Sequence, residues 1–341
     1  MSASPLKVEI HSDPQDFSTL APEWENLLQH SSTRSLFLTP QWQTLWWEHF
    51  GAGRPLCLAS ARDSEGQLVG LAPLFLWEEG RLGFVGEMDL CDYLDVLSLS
   101  GREEDVTRAI LKALAERTSG GSVLDLHFIP GASQMIQALS AAGQEAGWAV
   151  EVEKEETAPL ILLPATWEEY LRSLSGKDRH ELRRKIKRMK ASGELELQQA
   201  STAKEAKEFT EIFLRLHALS HIEKAKFMGP AMQAFFRAAS ERIFDLGWLR
   251  LSKLSLQGEP VAALFSFDYD GAVSVYNSGY DPAVSHLSPG ISIFGLSILE
   301  AIRDKKRAFD FLRGDEAYKY RLGAKDQPLF QVRLAPPGRG K

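Results

Sequence analysis

Ser288, Pro289 and Gly290 stand between a β-type run, Val273 to Gly279, and an apolar-striped run, Ile291 to Ile302. The pattern predicts a strand, a short loop and a helix whose first turn is open to a ligand. Serine is a good N-cap. Proline suits the first helical position, where its missing N–H costs nothing, and Gly290 adds no side chain. Uncovered N–H groups and the positive end of the helix dipole make such a turn a seat for phosphate. The plain alternative is an ordinary capped helix that binds nothing.

A second cluster follows: Phe309-Asp310-Phe311-Leu312-Arg313-Gly314-Asp315, then Tyr318-Lys319. An acid on a short apolar strand followed by glycine places a carboxylate at the end of a sheet, where open α/β sheets bind ligands. Two readings of Asp310 stand side by side: a catalytic carboxylate, or a buried partner for Arg313 or Lys319. A third cluster is the run from Lys177 to Lys190, which carries eight Lys or Arg against two acids. Leu182, Ile186 and Met189 fall on one helical face, so the basic residues form either a solvated surface or a dock for an anionic partner. That partner class covers polyphosphate, nucleic acid and anionic lipid headgroups.

Other signatures are missing. The sequence has no P-loop, no dinucleotide fingerprint and no Gly-x-Ser-x-Gly elbow. His217 and His221 have a spacing that suits a metal on a helix, but no flanking Glu and no clear third ligand, so no metal is expected. Cys91 reads as a small buried residue. A net charge of −7 argues against a general nucleic-acid coat. Two cysteines, Cys57 and Cys91, are too few for a disulfide framework. Met1 to Asp16 has no apolar core of signal-peptide type, and no apolar run approaches the ~20 residues that span a bilayer. A cytoplasmic location is therefore expected.

The elements that must position these residues come in two similar sets. A chain of 341 residues suggests two domains. Thr39-Pro40 opens a helix carrying Trp42, Leu45, Trp46 and Phe50 on one face, and Gly51 closes it. Leu56 to Arg62 and Leu68 to Trp77 form a hairpin around Asp63-Ser64-Glu65-Gly66. Short β-type runs at Leu82 to Val85 and Tyr93 to Leu99 follow. A helix at Glu103 to Arg117 leads to a strand at Val123 to Ile129, a helix at Gln134 to Ala146, and β-type runs at Ala149 to Val152 and Leu160 to Leu163. The second half opens with helices at Thr166 to Ser173, Asp178 to Ala191, Thr202 to Leu219 and Ala231 to Leu246. A hairpin then turns at Gln257-Gly258-Glu259-Pro260 between Trp248 to Leu256 and Val261 to Tyr269. The third strand, the Ser288 helix, and strands at Ala308 to Leu312 and Leu329 to Leu334 complete the set. Hairpin, third strand, crossover helix, strand: the order recurs, a weak internal repeat. The expected division is residues 1–165 and 166–341, with only the second half holding a phosphate-bearing ligand.

Several of these pieces together resemble the GNAT-type acyltransferases of the CelD/BcsL group, relatives of the FemABX aminoacyl transferases. They are Tyr276-Asn277-Ser278-Gly279-Tyr280-Asp281, Leu287-Ser288-Pro289-Gly290, Asp310-Phe311-Leu312-Arg313-Gly314 with Tyr318-Lys319, Asp92-Tyr93-Leu94-Asp95, and the basic helix near Arg183. The resemblance covers most of residues 36 to 325. It implies an α/β (α+β) fold of two tandem GNAT-like domains, each a mixed, mostly antiparallel sheet flanked by helices. It also implies transfer from acetyl-CoA or another acyl-CoA to an amine or hydroxyl, without a metal. The acceptor would be a small molecule or saccharide of polysaccharide or cell-envelope precursor biosynthesis. The loop departs from the usual GNAT pyrophosphate signature, which is richer in Gly, Gln and Arg.

Acyl transfer needs a donor held by its phosphates, a nucleophilic acceptor and donors for the oxyanion. The turn from His286 through Ser288 and Gly290 to Ile291 is expected to hold the pyrophosphate. N–H groups of Asn277, Ser278 and Gly279 are expected to bind the thioester carbonyl, provided that this strand splays from its neighbour. Asp310 is the first choice of general base, with Asp315 and Asp92 behind it. Tyr318 or Tyr280 would protonate the leaving thiolate, and Lys319 would hold an anionic acceptor or neutralise Asp310. Tyr93, Tyr276, Tyr280, Arg313 and Asp315 are the expected acceptor contacts. Two other readings are an aminoacyl transferase using charged tRNA and a non-catalytic module that binds a glycan or lipid-linked precursor.

Overall fold

Local signals in the sequence are realised as hydrogen bonds. Thr39 Oγ1 accepts the N–H of Trp42 at 3.2 Å, capping a helix that has Pro40 in its first turn. Asp63 Oδ1 accepts the N–H groups of Glu65 at 3.0 Å and Gln67 at 2.9 Å, folding the first hairpin turn. Thr166 with Glu169, and Thr202 with Glu205, form reciprocal capping boxes that start two helices.

This is a computed structural model, and it describes residues 5–78, 80–86, 90–117 and 122–337. The chain divides into two units: Thr157–Asp326, and Met1–Glu156 joined by Gln327–Lys341. The first unit contains β1 (Lys7–His11), α1 (Asp16–Gln29), α2 (Pro40–Phe50), β2 (Leu56–Arg62), β3 (Leu68–Glu78) and β4 (Arg81–Phe84). It continues with β5 (Leu97–Ser98), α3 (Glu103–Arg117), β6 (Val123–Pro130), α4 (Met135–Glu145) and β7 (Ala149–Thr157). The second unit contains β8 (Leu160–Leu162), α5 (Trp167–Ser173), α6 (Gly176–Ala191), β9 (Leu195–Gln199), α7 (Ala203–Ser220), α8 (Ile222–Phe227) and α9 (Pro230–Asp245). Then come β10 (Leu249–Leu256), β11 (Glu259–Tyr269), β12 (Ala272–Tyr280), α10 (Pro289–Arg303), β13 (Ala308–Asp310) and α11 (Ala317–Arg321). The last strand, β14 (Pro328–Ala335), returns to the first unit.

The two sheets repeat one another. The first has the order β1-β2-β3-β4-β6-β14-β7, with β5 also pairing β3, and the second has the order β9-β10-β11-β12-β13-β8. In each, an antiparallel hairpin and third strand lead through a helix to a parallel neighbour, β4 to β6 and β12 to β13. Both are mixed sheets flanked by helices, and the fold is of the tandem GNAT-like type. The division differs from residue 165/166. β8 pairs antiparallel with β13, and β14 pairs antiparallel with β6. Short β-type runs of this kind satisfy the open side of either sheet equally well, so their pattern does not reveal which sheet they join.

The sheet of the second unit is buried on both faces. Ala262 and Leu264 share a core with Ile293 and Ile298 of α10 and Leu182 and Met189 of α6. On the alternate residues, Phe265 packs against Phe213 of α7 at 5.3 Å and Phe236 of α9 at 5.2 Å between ring centroids. Full burial of each such ring contributes about 2–3 kcal/mol. Gly295 makes a notch in α10: a Cβ there would lie 2.8 Å from Leu182 Cδ1 and 3.1 Å from Ile186 Cδ1, so α6 seats directly on α10.

In the first unit the tryptophans of α2 are core residues: Trp42 and Trp46 are fully buried. Cys91 is buried, and Trp42 Nε1 donates to its Sγ at 3.1 Å. Asp95 is also buried, accepting Thr33 Oγ1 at 2.5 Å, Ser133 Oγ at 2.6 Å and the Val96 N–H at 2.9 Å. Burial pushes its carboxyl up to about 7 against these hydrogen bonds, so the acid ties three segments together. Among the described residues no helix is long and apolar enough to cross a membrane.

Candidate active site

β12 pairs with β11 from Ala272 to Tyr280, but with β13 only over Ala272–Ser274 against Ala308–Asp310. From Val275 onward no strand among the described residues pairs with β12 on its β13 side. The cause is local. Asn277 faces Phe265 while Val275 faces Ser266, so Tyr276 is an inserted, bulged residue. A bulge bends its strand and ends pairing on one side. Gly279 then lets α7 close on the strand: a Cβ there would lie 2.3 Å from the backbone nitrogen of His217.

The parting opens a cleft of about 580 Å³. Its strand wall is Tyr276, Asn277, Ser278, Gly279 and Tyr280. Ser288, Gly290 and Ile291 form its helix wall, and Arg313, Tyr318 and Lys319 line the far side. These eleven predicted site residues meet in one place.

The start of α10 differs from a simple cap. Ser288 is left-handed, with φ 63° and ψ 51°, and its side chain caps nothing. Arg188 Nη2 of the basic helix donates to Ser288 Oγ at 2.8 Å. The first helical bond is Ser292 N–H to Ser288 carbonyl at 3.1 Å. Pro289 has no N–H, so the donors ahead of that bond are Gly290 and Ile291, both at the cleft. A Cβ on Gly290 would touch Tyr280 Cδ1 at an ordinary 3.5 Å, and there is no tighter contact.

Five predicted site residues lie elsewhere. Asp310 is buried and does not line the cleft; its Oδ1 accepts the N–H of Leu312 at 2.8 Å and shapes a turn in which Leu312 has φ 56°. That bond gives Asp310 a part in shaping the turn. Asp315 and His286 are exposed and outside the lining. Asp92 and Tyr93 belong to the first unit. The role expected of Lys319 also changes. Its Nζ donates to the carbonyls of Leu312 at 3.2 Å, Arg313 at 2.6 Å and Gly314 at 2.9 Å, and pairs with Glu316 at 3.0 Å. Those contacts use the ammonium to hold the loop. Tyr318 stacks on Phe294 at 5.1 Å, and burial raises its phenol well above the ordinary value, so it stays protonated.

Two cleft residues carried no local signal. Lys224 of α8 reaches in and donates to the Ser278 carbonyl at 2.7 Å. Burial lowers its pKa, with Glu316 opposing. Glu316 brings a carboxylate to the same cleft. Behind Asn277, buried His217 is held down to about 4, by burial first and by Lys224 second, against hydrogen bonding from Asn277. Its neighbour in the histidine pair, His221, caps α8 by accepting the N–H of Glu223 at 3.2 Å.

Residues 176–320 match the family described as the acetyltransferase (GNAT) domain, which supports a transferase. A comparison with curated proteins gives no match. Among solved structures, FemX is similar at 10% identity and a TM-score of 0.64, over 95% of this chain and 96% of that one. A structure described as the C-terminal domain of a lysylphosphatidylglycerol synthetase from Agrobacterium fabrum is similar at 10% identity and 0.58, over 93% and 92%. A tandem GNAT protein from the clavulanic acid biosynthesis pathway is similar at 12% identity and 0.55, over 98% and 100%. At these identities the structural likeness establishes the fold.

Proposed function

We propose that the second unit transfers an acyl group from an acyl-CoA to an amine or hydroxyl of a small molecule or saccharide. The observation that carries this reading is the bare edge of β12 beside the uncapped start of α10, within the segment that matches the acetyltransferase domain. The N–H groups of Gly290 and Ile291 and the helix dipole suit a diphosphate. The bare strand edge suits an amide-bearing arm laid alongside it. Polysaccharide or envelope-precursor synthesis, as in the CelD/BcsL group, is the setting we assign.

In this mechanism the acceptor nitrogen or oxygen attacks the acyl carbon and the carbonyl electrons move to oxygen. Glu316 takes the acceptor's proton. The tetrahedral species collapses, the carbon–sulfur bond breaks, and Tyr318 protonates the thiolate. Arg313 and Tyr280 line the acceptor side. Calorimetric titration with acetyl-CoA and longer acyl-CoAs tests the reading. Binding with a raised melting temperature is expected, because a ligand specific for the native state stabilises it. No binding of any acyl-CoA at millimolar concentration would remove acyl-CoA as the donor.

One observation favours a second donor, aminoacyl-tRNA. The basic face of α6 exposes Lys177, Arg183, Lys187 and Lys190, and Arg188 on the same helix reaches Ser288. A nucleic-acid donor would give an affinity that falls steeply with salt, whereas an acyl-CoA would not.

A further inference from the structure

We propose that Lys224 is a catalytic residue of this transfer: its ammonium, held at the bare edge of β12, stabilises the oxyanion formed when the acceptor attacks. The inference rests on the acyl-transfer reading of the cleft and concerns which group receives the negative charge.

Backbone N–H groups of the splayed strand are the obvious candidates for that task. At the centre of the edge the Ser278 N–H is already covered, because Asn277 Oδ1 accepts it at 3.1 Å. The carbonyl of the same residue is covered by Lys224 Nζ at 2.7 Å. An ammonium has three protons, and the Ser278 carbonyl is its one hydrogen-bond partner among the described residues. No carboxylate lies within ion-pair distance of it among the described residues; Glu316 acts from further away. The cation thus sits in a cleft wall with donors to spare, beside the peptide where the acyl carbonyl is expected.

The setting is costly for any other purpose. α8 buries none of its residues in the core, yet Lys224 extends inward while Ile222 stays 69% exposed. A desolvated ammonium without a paired acid is unfavourable for folding and common at reaction centres. As the acceptor bonds to the acyl carbon, the carbonyl π pair becomes the oxyanion that this ammonium faces. On collapse the pair re-forms the carbonyl and the thiolate departs with the carbon–sulfur electrons. Lys224 keeps its proton throughout.

The charged and titratable groups around Lys224 are His217 from α7, Tyr276 and Tyr280 from β12, Arg313, Glu316, Tyr318 and Lys319 from the segment after β13, and Glu223 and Lys226 on its own helix. The experiment compares wild type, Lys224→Met and Lys224→Arg for CoA binding by calorimetry and for thiol release from acetyl-CoA, with water and with glucosamine as acceptors. Lys224→Met should lower kcat on the order of 10²-fold, the usual effect of removing one oxyanion donor, with CoA affinity within about threefold. Lys224→Arg should recover much of the rate and move the alkaline fall of kcat to higher pH. A Lys224→Met enzyme with kcat within threefold of wild type, or an alkaline limb that does not move in Lys224→Arg, overturns the inference while leaving the transferase reading intact. A wild type that neither binds CoA nor releases thiol overturns both.

Discussion

Arg188 Nη2 donates to Ser288 Oγ across 2.8 Å, joining the basic helix α6 to the left-handed residue that begins α10. Arg188 Nε is buried and without a partner. The acids of α6 are engaged elsewhere: Asp178 with Ser175, and Glu181 with Arg184 and Lys185. A guanidinium with an unused donor beside an uncapped helix start suits a phosphate oxygen. Arg188→Ala should weaken CoA binding about tenfold, or ~1.4 kcal/mol, with kcat unchanged. Arg188→Lys should recover only part, since a point charge lacks the fork. Equal affinities by calorimetry would assign Arg188 to loop geometry alone.

Gly290→Glu places a carboxylate at the helix start, where the cleft now has room. It should abolish CoA binding while the melting temperature stays within a few degrees, because the added Cβ meets nothing closer than Tyr280 at 3.5 Å. A variant that binds CoA like wild type would move the donor site away from α10.

Gly279→Ala should act on folding. Its Cβ would lie 2.3 Å from His217 N and 2.5 Å from Leu216 C, both backbone atoms that cannot swing aside. A loss of about 1–3 kcal/mol is expected from such overpacking, read as a lower denaturant midpoint. A midpoint equal to wild type would mean that α7 has room to retreat from β12.

Asp310→Ala removes an acceptor from the buried Leu312 N–H. The expected cost is about 1–3 kcal/mol of stability, with kcat per folded molecule little changed. A large fall in kcat at full stability would return Asp310 to the chemistry.

His217 gives a pH dependence with a definite sign. Its folded pKa is about 4, below the unfolded value near 6.5, so the unfolded state binds more protons between these limits. Stability from this group is complete above about pH 6.5 and declines as pH falls toward 4, by about 3 kcal/mol in all. Urea titrations across that window should show the slope in wild type and lose most of it in His217→Gln. A slope that is unaltered in the variant would place its origin in other groups.

Much of the fold was legible because its signals are local. The Thr39, Thr166 and Thr202 caps and the Asp63 turn each involve residues within four positions of one another. The strand wall and the helix wall of the cleft were legible for the same reason: they sit on consecutive residues. Three features were not. Ser288 had the composition of an N-cap, but its hydroxyl is claimed from a hundred positions away by Arg188. Asp310 had the look of a strand-end catalyst, yet a bond two residues along the chain makes it a turn residue. Lys224 lies on a short helix with no buried residue to mark it, and its role depends on Ser278 in a distant strand.

The placement of β14 bears on how the protein is made. The second unit, Thr157–Asp326, is a continuous stretch, and every strand of its sheet precedes Pro328 in the chain. The first sheet must wait, because the strand between β6 and β7 follows the whole of the second unit in the chain. Vectorial synthesis therefore reverses the usual order, in which the N-terminal part matures first. A polypeptide released early, after Asp326, would carry a finished cleft attached to an unfinished neighbour with two open strand edges, which makes it a natural client for chaperones and proteases.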